Sequence, residues 1–454
     1  MDSSKKVSLS KGLVSTPSKF SRRSLVASAS ALGLTAAIAS SQRSAFSAPD
    51  SLPVSDALKA QSAKLKLFHD KAPWQDFFVK MSDQATKEID VGWEATPYSD
   101  TTSYQQVINS SLPTGSGPDL FTWWSGYRME DMYKSGQLLD VSAIWQSAIK
   151  SGDLPESLAA GFTFDSKQYG VPAGASYWVM FYNKKVFADN GLKPPTTWEE
   201  FTGAAEKIKA AGVTPFFATV DGRWPAFIWW EELLIKSDPQ FYADLCNGKA
   251  KYTDEPAVKA LATWKDFIDK KYFTDLDLPM DQNMTAMFAN NEIAMVPVGT
   301  WFQQQFTTAG MTAGTDYDIF IIPNMDAAAK QNSIIVESGA ICLPAKGKNI
   351  DAAQKVATWW DQVPAQTTWS GLLGDTPANP KVKTENDVLN NMLKTVTDGK
   401  YVQIQRYWEA SPPNIVENAV DELARFMLNP SEGQSVLEAI QKIADDVWSK
   451  RTAS

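Results

Sequence analysis

The chain has 454 residues, of which 44% are apolar and 21% charged, and its 43 basic and 52 acidic residues give a formal net charge of −9. These values are typical of a globular protein of two or three domains and exclude a disordered chain or a disulfide-stapled miniprotein. Nucleic acid and anionic lipid are poor partners for an acidic chain that lacks a basic patch. A single histidine, His69, excludes a histidine-rich zinc site. Two cysteines, Cys246 and Cys342, allow one disulfide or two free thiols.

Residues 1–48 have the layout of an export signal. Residues 1–23 are basic and rich in serine, residues 24–40 are small and mildly apolar, and small residues follow at candidate cleavage sites. Residues 21–25 (SRRSL) resemble the twin-arginine type of signal. The apolar stretch is short and polar for a membrane anchor, and no cysteine lies nearby to carry a lipid. We therefore expect an exported, soluble protein, most simply in a periplasm.

Apolar periodicity predicts alternating strands and helices along the rest of the chain. Strands are predicted over residues 64–68, 89–93, 119–124, 178–182, 292–298, 317–322 and 340–343. Helices are predicted over residues 73–88 and 197–211, the second opened by the capping-box pattern of residues 197–200 (TWEE). Helical stripes follow at residues 356–363, 416–426 and 436–447. This order predicts an α/β architecture of two lobes with largely parallel sheets.

Tryptophan is the unusual residue, with 17 copies. Core packing explains those on helical or strand stripes, namely Trp145, Trp264, Trp359 and Trp448. Others lie in loops or at strand ends, in residues 123–126 (WWSG), 221–225 (DGRWP), 299–301 (GTW) and 406–409 (RYWE). Ligand contacts in α/β proteins come from the carboxyl ends of strands. An indole can stack on the apolar face of a pyranose while nearby acids and arginines bind its hydroxyls. These loops therefore fit a carbohydrate site and ordinary hinge or core packing equally well.

Catalytic and cofactor chemistry find weaker support. A glycosidase needs two carboxylates about 5–9 Å apart, and no spacing singles out such a pair. Residues 69–71 (HDK) follow the first predicted strand, where hydrogen bonding in a loop explains them more simply than catalysis. Residues 114–118 (TGSGP) are glycine-rich but precede a strand and lack the lysine of a phosphate-binding loop. We expect no metal, no cofactor and no enzymatic activity.

A set of short motifs, in order along the chain, resembles extracellular solute-binding protein family 1, which includes maltose-binding protein. The motifs are residues 117–120 (GPDL), 135–139 (SGQLL), 170–172 (GVP), 182–187 (YNKKVF), 191–201 (GLKPPTTWEEF), 291–295 (NEIAM), 299–301 (GTW), 320–323 (FIIP) and 338–340 (SGA). The resemblance covers about residues 62–450.

The resemblance implies the type II periplasmic-binding-protein fold, an α/β fold of two hinge-linked lobes. Residues 62–172 plus 337–375 would form lobe 1, and residues 173–336 plus 376–454 would form lobe 2. The crossings would fall near residues 172–176, 335–338 and 374–379. It also implies capture of a di- or oligosaccharide by a monomeric receptor, which delivers the sugar to the permease subunits of a membrane ABC importer.

Aromatic site residues carry over in part. In the family, a tryptophan shortly after the Pro-Asp strand stacks on sugar, and Trp123 or Trp124 occupies that place here. The Gly-x-Trp motif matches Trp301, and a C-terminal aromatic residue matches Tyr407 or Trp408.

Polar residues complete the expected site. An acid–lysine pair after the first strand matches Asp70 and Lys71. A family glutamate at the first crossing is replaced by Ser176, which argues against maltose as the ligand. The remaining candidates lie after the first crossing, in a loop where other family members place sugar contacts, or at the second crossing: Tyr177, Trp178, Asp221, Arg223, Trp224 and Glu337.

Two other functions stay open at this point. The same fold could bind a polyamine, a peptide or an iron chelate, since cationic ligands use acids and aromatic faces. Arg223 and Arg406, beside the aromatic residues, weigh against a cationic ligand. A secreted carbohydrate-active enzyme is the second alternative.

Overall fold

The structure is a computed structural model that describes residues 64–326 and 331–452. The predicted export signal, residues 1–48, lies outside these ranges. Within them, no helix has the length and apolar character needed to cross a membrane.

The described residues form strands and helices that alternate along much of the chain. The strands are β1 (Leu65–His69), β2 (Trp93–Pro97), β3 (Leu120–Trp124), β4 (Thr163–Phe164), β5 (Lys167–Gln168), β6 (Val171–Pro172), β7 (Ser176–Asn183), β8 (Thr214–Phe216), β9 (Ile293–Gly299), β10 (Tyr317–Phe320), β11 (Ser333–Glu337), β12 (Gly339–Cys342) and β13 (Val402–Gln405). The helices are α1 (Gln75–Ile89), α2 (Thr101–Ser111), α3 (Tyr127–Lys134), α4 (Ser142–Ser151), α5 (Lys184–Asp189), α6 (Trp198–Ala210), α7 (Ile228–Ser237), α8 (Pro239–Cys246), α9 (Glu255–Asp269), α10 (Thr285–Ala289), α11 (Gln303–Thr308), α12 (Ile350–Trp360), α13 (Val363–Leu373), α14 (Asp387–Asp398), α15 (Tyr407–Ala410), α16 (Pro413–Leu428) and α17 (Gly433–Thr452).

Two larger sheets organise the molecule. The first has the order β2-β1-β3-β12-β6, and the second has the order β13-β11-β7-β9-β8 with β10 also paired to β7. Only some pairs are parallel, so the prediction of largely parallel sheets is wrong. The reason is visible at β12, which enters the first sheet where β3 ends, with Gly339 opposite Trp124, and therefore runs antiparallel to β3. The predicted two-lobe α/β architecture is confirmed.

The chain passes between the two sheets three times. It leaves the first sheet after Pro172, enters the second at Ser176, and returns at Ser338 between β11 and β12. The third passage follows α13, which packs beside α1, and leads to β13 of the second sheet. The first two passages are tied together, because Ser338 Oγ donates a hydrogen bond to the carbonyl of Gly174 at 2.7 Å.

Two predicted boundaries are wrong for local reasons. Alternation over residues 89–93 predicts a strand, but α1 continues to Ile89, and its C-cap residue Asp90 has a left-handed φ of +56° that turns the chain before β2. The stripe over residues 356–363 predicts one helix, but α12 ends at Trp360 and Pro364 lies in the first turn of α13. Proline lacks the N–H that a continuing helix requires, so a new helix starts there.

Other local predictions are confirmed. Thr197 and Glu200 form the capping box of α6, each side chain accepting a backbone N–H of the other. Trp145, Trp264 and Trp359 are buried in the two hydrophobic cores. Both cysteines are buried free thiols, Cys246 on α8 and Cys342 on β12, which excludes the disulfide that the sequence left open.

Candidate functional site

A cavity of about 630 Å³ lies where the two lobes and the three passages meet. The first lobe contributes the segments that follow β1 and β3 and the start of α2, because these all end at the same edge of its sheet. The second lobe contributes residues 222–224, Trp301, Arg406, Trp408 and Glu409. A second cavity, of about 850 Å³, lies between α3, α8 and β13, and no tryptophan lines it. The cavity of 630 Å³ is therefore the candidate binding cleft.

Most of the predicted site residues line this cleft. They are Asp70, Lys71, Trp123, Trp124, Arg223, Trp224, Trp301, Glu337 and Trp408. Four others lie outside the lining. Tyr177, Trp178 and Tyr407 are buried among core residues, while Asp221 is exposed to solvent. Tyr407 is occupied within the second lobe, where its hydroxyl lies 2.6 Å from that of Tyr252.

The first-lobe wall presents Trp124 at the end of β3. Trp123 packs edge-on against it with ring centroids 5.2 Å apart, and the indole N–H of Trp123 donates to the Arg128 carbonyl at 2.8 Å. Lys71 Nζ lies 5.6 Å from the Trp124 ring centroid and forms an ion pair with Asp70 at 3.0 Å. Trp123 and Lys71 thus both contact the ring of Trp124, and part of its surface remains open to the cleft.

The second-lobe wall presents Trp224 and Trp301, whose ring centroids are 6.3 Å apart and whose planes are inclined by 56°. Trp224 follows a strained turn, because its N–H donates to the Gly222 carbonyl at 2.8 Å around Arg223, which has a φ of +64° and a ψ of −61°. This γ-turn geometry is rare for a residue with a side chain and costs about 1–3 kcal/mol. Arg223 is tied down by an ion pair with Asp421 at 2.8 Å.

The floor of the cleft is organised around the carboxylate of Glu337. Its Oε2 accepts the indole N–H of Trp178 at 3.2 Å and that of Trp301 at 3.1 Å. Arg406 pairs with the same oxygen at 2.9 Å and also with Glu409 through two nitrogens. Burial opposes the positive charge of Arg406, but Glu337 and Glu409 outweigh it and raise the pKa of the guanidinium. Trp178, predicted as a ligand contact, does not line the cleft and donates its indole N–H to Glu337.

Arg128 of the first lobe binds Trp408 and Glu417 of the second lobe, a set of contacts that we call the clasp. Arg128 at the start of α3 is buried, and its guanidinium carbon lies 3.6 Å from the ring centroid of Trp408. Arg128 Nε donates to the Trp408 carbonyl at 3.0 Å, and Nη2 pairs with Glu417 of α16 at 2.8 Å. Trp408 also stacks on Phe227 with centroids 6.0 Å apart. Arg128 and Phe227 thus each pack on the ring of Trp408, which remains part of the cleft lining.

A buried carboxylate, Asp375, joins the passages beneath the cleft. It accepts hydrogen bonds from Ser176 Oγ at 2.5 Å, from Thr300 Oγ1 at 2.5 Å and from the N–H of Thr376 at 2.7 Å. Burial raises the pKa of Asp375 to about 6, the three hydrogen bonds oppose this rise, and Glu337 adds to it. The carboxylate thus connects the first passage, the end of β9 and the third passage.

Several lining residues were missed at the sequence level. They are Trp74, Asp100, Thr101, Thr102, Gln105 and Trp369. Asp100 caps α2 by accepting the N–H of Ser103 at 2.7 Å, a pattern visible in the sequence as an acid before Thr-Thr-Ser. The cap predicts a helix start but not that the helix start faces a cleft, which only the sheet topology reveals.

His69 has a structural role. It is fully buried, its Nε2 lies 2.7 Å from Gln75 Oε1, and its ring stacks on Phe78 at 4.3 Å. Burial lowers the pKa of His69. Across residues 64–326 and 331–452, no group of three or more His, Cys, Asp or Glu side chains is arranged to hold a metal ion.

Comparison with known proteins identifies the family. The model of the bacterial extracellular solute-binding proteins matches residues 80–395, and the chain belongs to that family. An uncharacterised ABC transporter extracellular-binding protein of Pyrococcus horikoshii is 24% identical over 353 residues, which cover 76% of this chain and 78% of that protein. The multiple sugar-binding protein of Streptococcus mutans is 26% identical over 326 residues, covering 67% of this chain and 73% of that protein.

Solved structures confirm the fold. The bacterial solute receptor AcbH, described as having an exclusive preference for β-D-galactopyranose, superposes with a TM-score of 0.74 at 22% identity and covers 85% of this chain and 98% of its own. A chitin oligosaccharide binding protein gives a TM-score of 0.73 at 21% identity, with coverage of 85% and 98%. The two-lobe fold predicted from the resemblance is the fold of these receptors.

Proposed function

We propose that the protein is a receptor that captures a carbohydrate, either a di- or an oligosaccharide, between its lobes and delivers it to an ABC importer. The observation that carries this proposal is the cleft wall, which has Trp124 on one lobe and Trp224 and Trp301 on the other, above the carboxylate of Glu337. Apolar indole faces suit the C–H faces of pyranoses, and a carboxylate binds hydroxyls strongly. The sugar-binding relatives and structural neighbours support the same ligand class.

The proposed mechanism is closure around the ligand. A sugar that touches both walls binds the closed form better than the open form and shifts the equilibrium towards closure. The passages around Ser176, Ser338 and Asp375 are the proposed hinge, since a few loop residues absorb such rotations. Residues 62–172 plus 337–375 and residues 173–336 plus 376–454 are the proposed lobes, a division supported by the strands that each sheet contains. No catalytic step belongs to this function.

We further propose that the receptor acts as a monomer in the periplasm, exported by a twin-arginine signal within residues 1–48. The closed, loaded form is the form that the permease subunits would recognise, because only closure brings both lobes into one surface. The family's extracellular character supports the export part of this proposal.

The proposal is tested by titrating the full chain with mono-, di- and oligosaccharides while intrinsic tryptophan fluorescence and melting temperature are followed. Binding raises apparent stability by mass action. We expect a sugar that binds without being turned over. A response to polyamines or peptides, with none to sugars, would refute the carbohydrate assignment while leaving the binding cleft.

The site itself is tested by replacing Trp124, Trp224 and Trp301 together with alanine. Three aromatic faces worth about 1 kcal/mol each predict a loss of sugar affinity of about a hundredfold. Trp198→Ala is the matched control, because Trp198 is a half-buried tryptophan at the start of α6 that does not line the cleft. Unchanged affinity in the triple variant would show that the sugar binds elsewhere.

A further inference from the structure

The charged groups that line the cleft are unequal in sign. Six acidic side chains and three basic ones contribute to its lining. The acids are Asp70, Asp100, Glu337, Asp375, Glu409 and Glu417, and the bases are Lys71, Arg223 and Arg406. A cleft of this sign attracts cations and repels anions, most strongly where solvent screening is weak.

The three basic side chains are already bound by carboxylates of the protein. The pairs are Lys71 with Asp70 at 3.0 Å, Arg223 with Asp421 at 2.8 Å, and Arg406 with Glu337 at 2.9 Å. A ligand carboxylate or phosphate would compete with these partners, and at the buried Arg406 it would leave a carboxylate of the protein without its cation. Among the described lining residues, no basic group is therefore left for an anionic ligand.

Glu337 retains one oxygen for a ligand. Oε2 already accepts three N–H donors, from Trp178, Trp301 and Arg406, whereas Oε1 has no hydrogen-bond partner among the described residues. Because all three donors are bound at Oε2, they fix the carboxylate and leave Oε1 open. Arg406 pairs with Glu409 as well as with Glu337, so the floor of the cleft has two carboxylates for one guanidinium. A cationic donor from the ligand would balance this excess.

We propose that the cleft selects its sugar by charge: it prefers a sugar that carries a protonated amino group over the neutral counterpart, and it excludes uronates and sugar phosphates. Glu337 is the discriminating residue, with Oε1 accepting the ammonium N–H. The indole faces of Trp224 and Trp301 add attraction for a cation beside them. This inference rests on the proposed function, because it names the class of sugar that the same cleft takes.

The expected preference follows from the strength of the bonds involved. A hydroxyl and an ammonium group can both donate to the Glu337 carboxylate, but only the ammonium adds charge–charge attraction, for which we expect about a tenfold gain in affinity at this partly buried group. We therefore expect the free amino sugar to bind about tenfold more tightly than its neutral partner. The carboxylate of a uronate would face the acidic side chains of the cleft and find no unpaired basic group to bind it. We therefore expect no measurable binding of a uronate.

The test compares matched ligands on the full chain at pH 6.5. Glucose, glucosamine, N-acetylglucosamine and glucuronate form one series, the corresponding galactose derivatives a second, and cellobiose with the β-1,4 disaccharide of glucosamine a third. Dissociation constants are measured by calorimetry. The proposal is supported if the amino sugar binds most tightly, the neutral and N-acetylated sugars less tightly, and the uronate least. N-acetylation keeps the nitrogen and removes its charge but adds an acetyl group, and the parent sugar, which lacks that group, controls for the added bulk.

The titrations distinguish a cleft that does not select by charge from a protein that does not bind sugars. Neutral sugars that bind as tightly as amino sugars, or a uronate that binds at all, would overturn charge selection and leave a sugar receptor in place. If no sugar in any series or in the wider panel binds, both charge selection and the proposed sugar-receptor function are overturned.

A variant locates the selection. Glu337→Gln should bring the ratio of amine to neutral affinity towards one, whereas Glu206→Gln, at an exposed glutamate on α6, should keep the wild-type ratio. An unchanged ratio in a folded Glu337→Gln protein would exclude Glu337 as the discriminating group. Should that variant fail to fold, the comparison of amine with N-acetyl sugar on the wild type still decides charge selection.

Discussion

Replacing Asp375 with asparagine should change how stability depends on pH. The pKa of Asp375 rises from 3.8 to about 6 in the folded chain because the carboxyl group is buried. A rise of about 2 units corresponds to about 3 kcal/mol between the protonation states. Because the pKa is raised on folding, this stabilisation is fully present below about pH 4 and is lost as the pH increases through 6.

Asparagine has nearly the same shape as aspartic acid but does not titrate. The loss of stability between pH 4 and pH 7.5 should therefore be absent in Asp375→Asn. Any cost of re-pairing with Ser176, Thr300 and Thr376 is the same at every pH and appears as a constant offset. Relative to wild type, the variant should therefore gain about 3 kcal/mol of unfolding free energy between pH 4 and pH 7.5.

The assay is urea unfolding of both proteins, followed by tryptophan fluorescence at constant ionic strength across pH 4–7.5. Ser176→Ala serves as the companion variant: it removes a donor that favours the charged form, so the step should move to higher pH. A difference between wild type and Asp375→Asn that stays flat across this range would refute the assignment of the raised pKa to this carboxyl group.

Two further predictions concern contacts described above. Arg128→Ala removes the clasp between α3 and Glu417, so small-angle scattering of the ligand-free chain should show a larger radius of gyration, whereas an unchanged radius would mean that the clasp does not hold the lobes together. Thr197→Ala removes one half of the capping box of α6 and should cost about 1 kcal/mol in urea unfolding, while Thr202→Ala, in the same helix but outside the box, should cost less.

The loop tryptophans illustrate how much of the site the sequence could predict. Trp124 is the last residue of the buried strand β3 and Trp301 follows the buried strand β9, and position along a strand is local information that periodicity carries. The same holds for Thr197, whose partner Glu200 is three residues away. The resemblance to the solute-binding family then supplied the boundaries of the lobes and the passages between them, which no local pattern predicts.

Residues whose neighbours come from distant segments were harder to predict. Trp408 stands in a loop group that suits sugar stacking, yet Arg128, 280 residues earlier, covers its ring. Trp178 is the third residue of the buried strand β7, and its indole donates to Glu337 at the end of β11. In each case the sequence places the aromatic ring near the cleft, and only the tertiary contacts decide whether its surface is free.

Because Arg223 in the strained turn is bound by residues of α16, substitutions on that helix can change the position of Trp224 in the cleft wall. The guanidinium pairs with Asp421 and Glu417 of α16, and this pairing holds a backbone geometry that aims Trp224 into the cleft. Glycine at position 223 would relax the backbone but release the anchor, whereas changes at position 421 would release the anchor and keep the strain. Libraries built to retune affinity in this scaffold can therefore vary a surface helix and leave every cleft-lining aromatic residue intact.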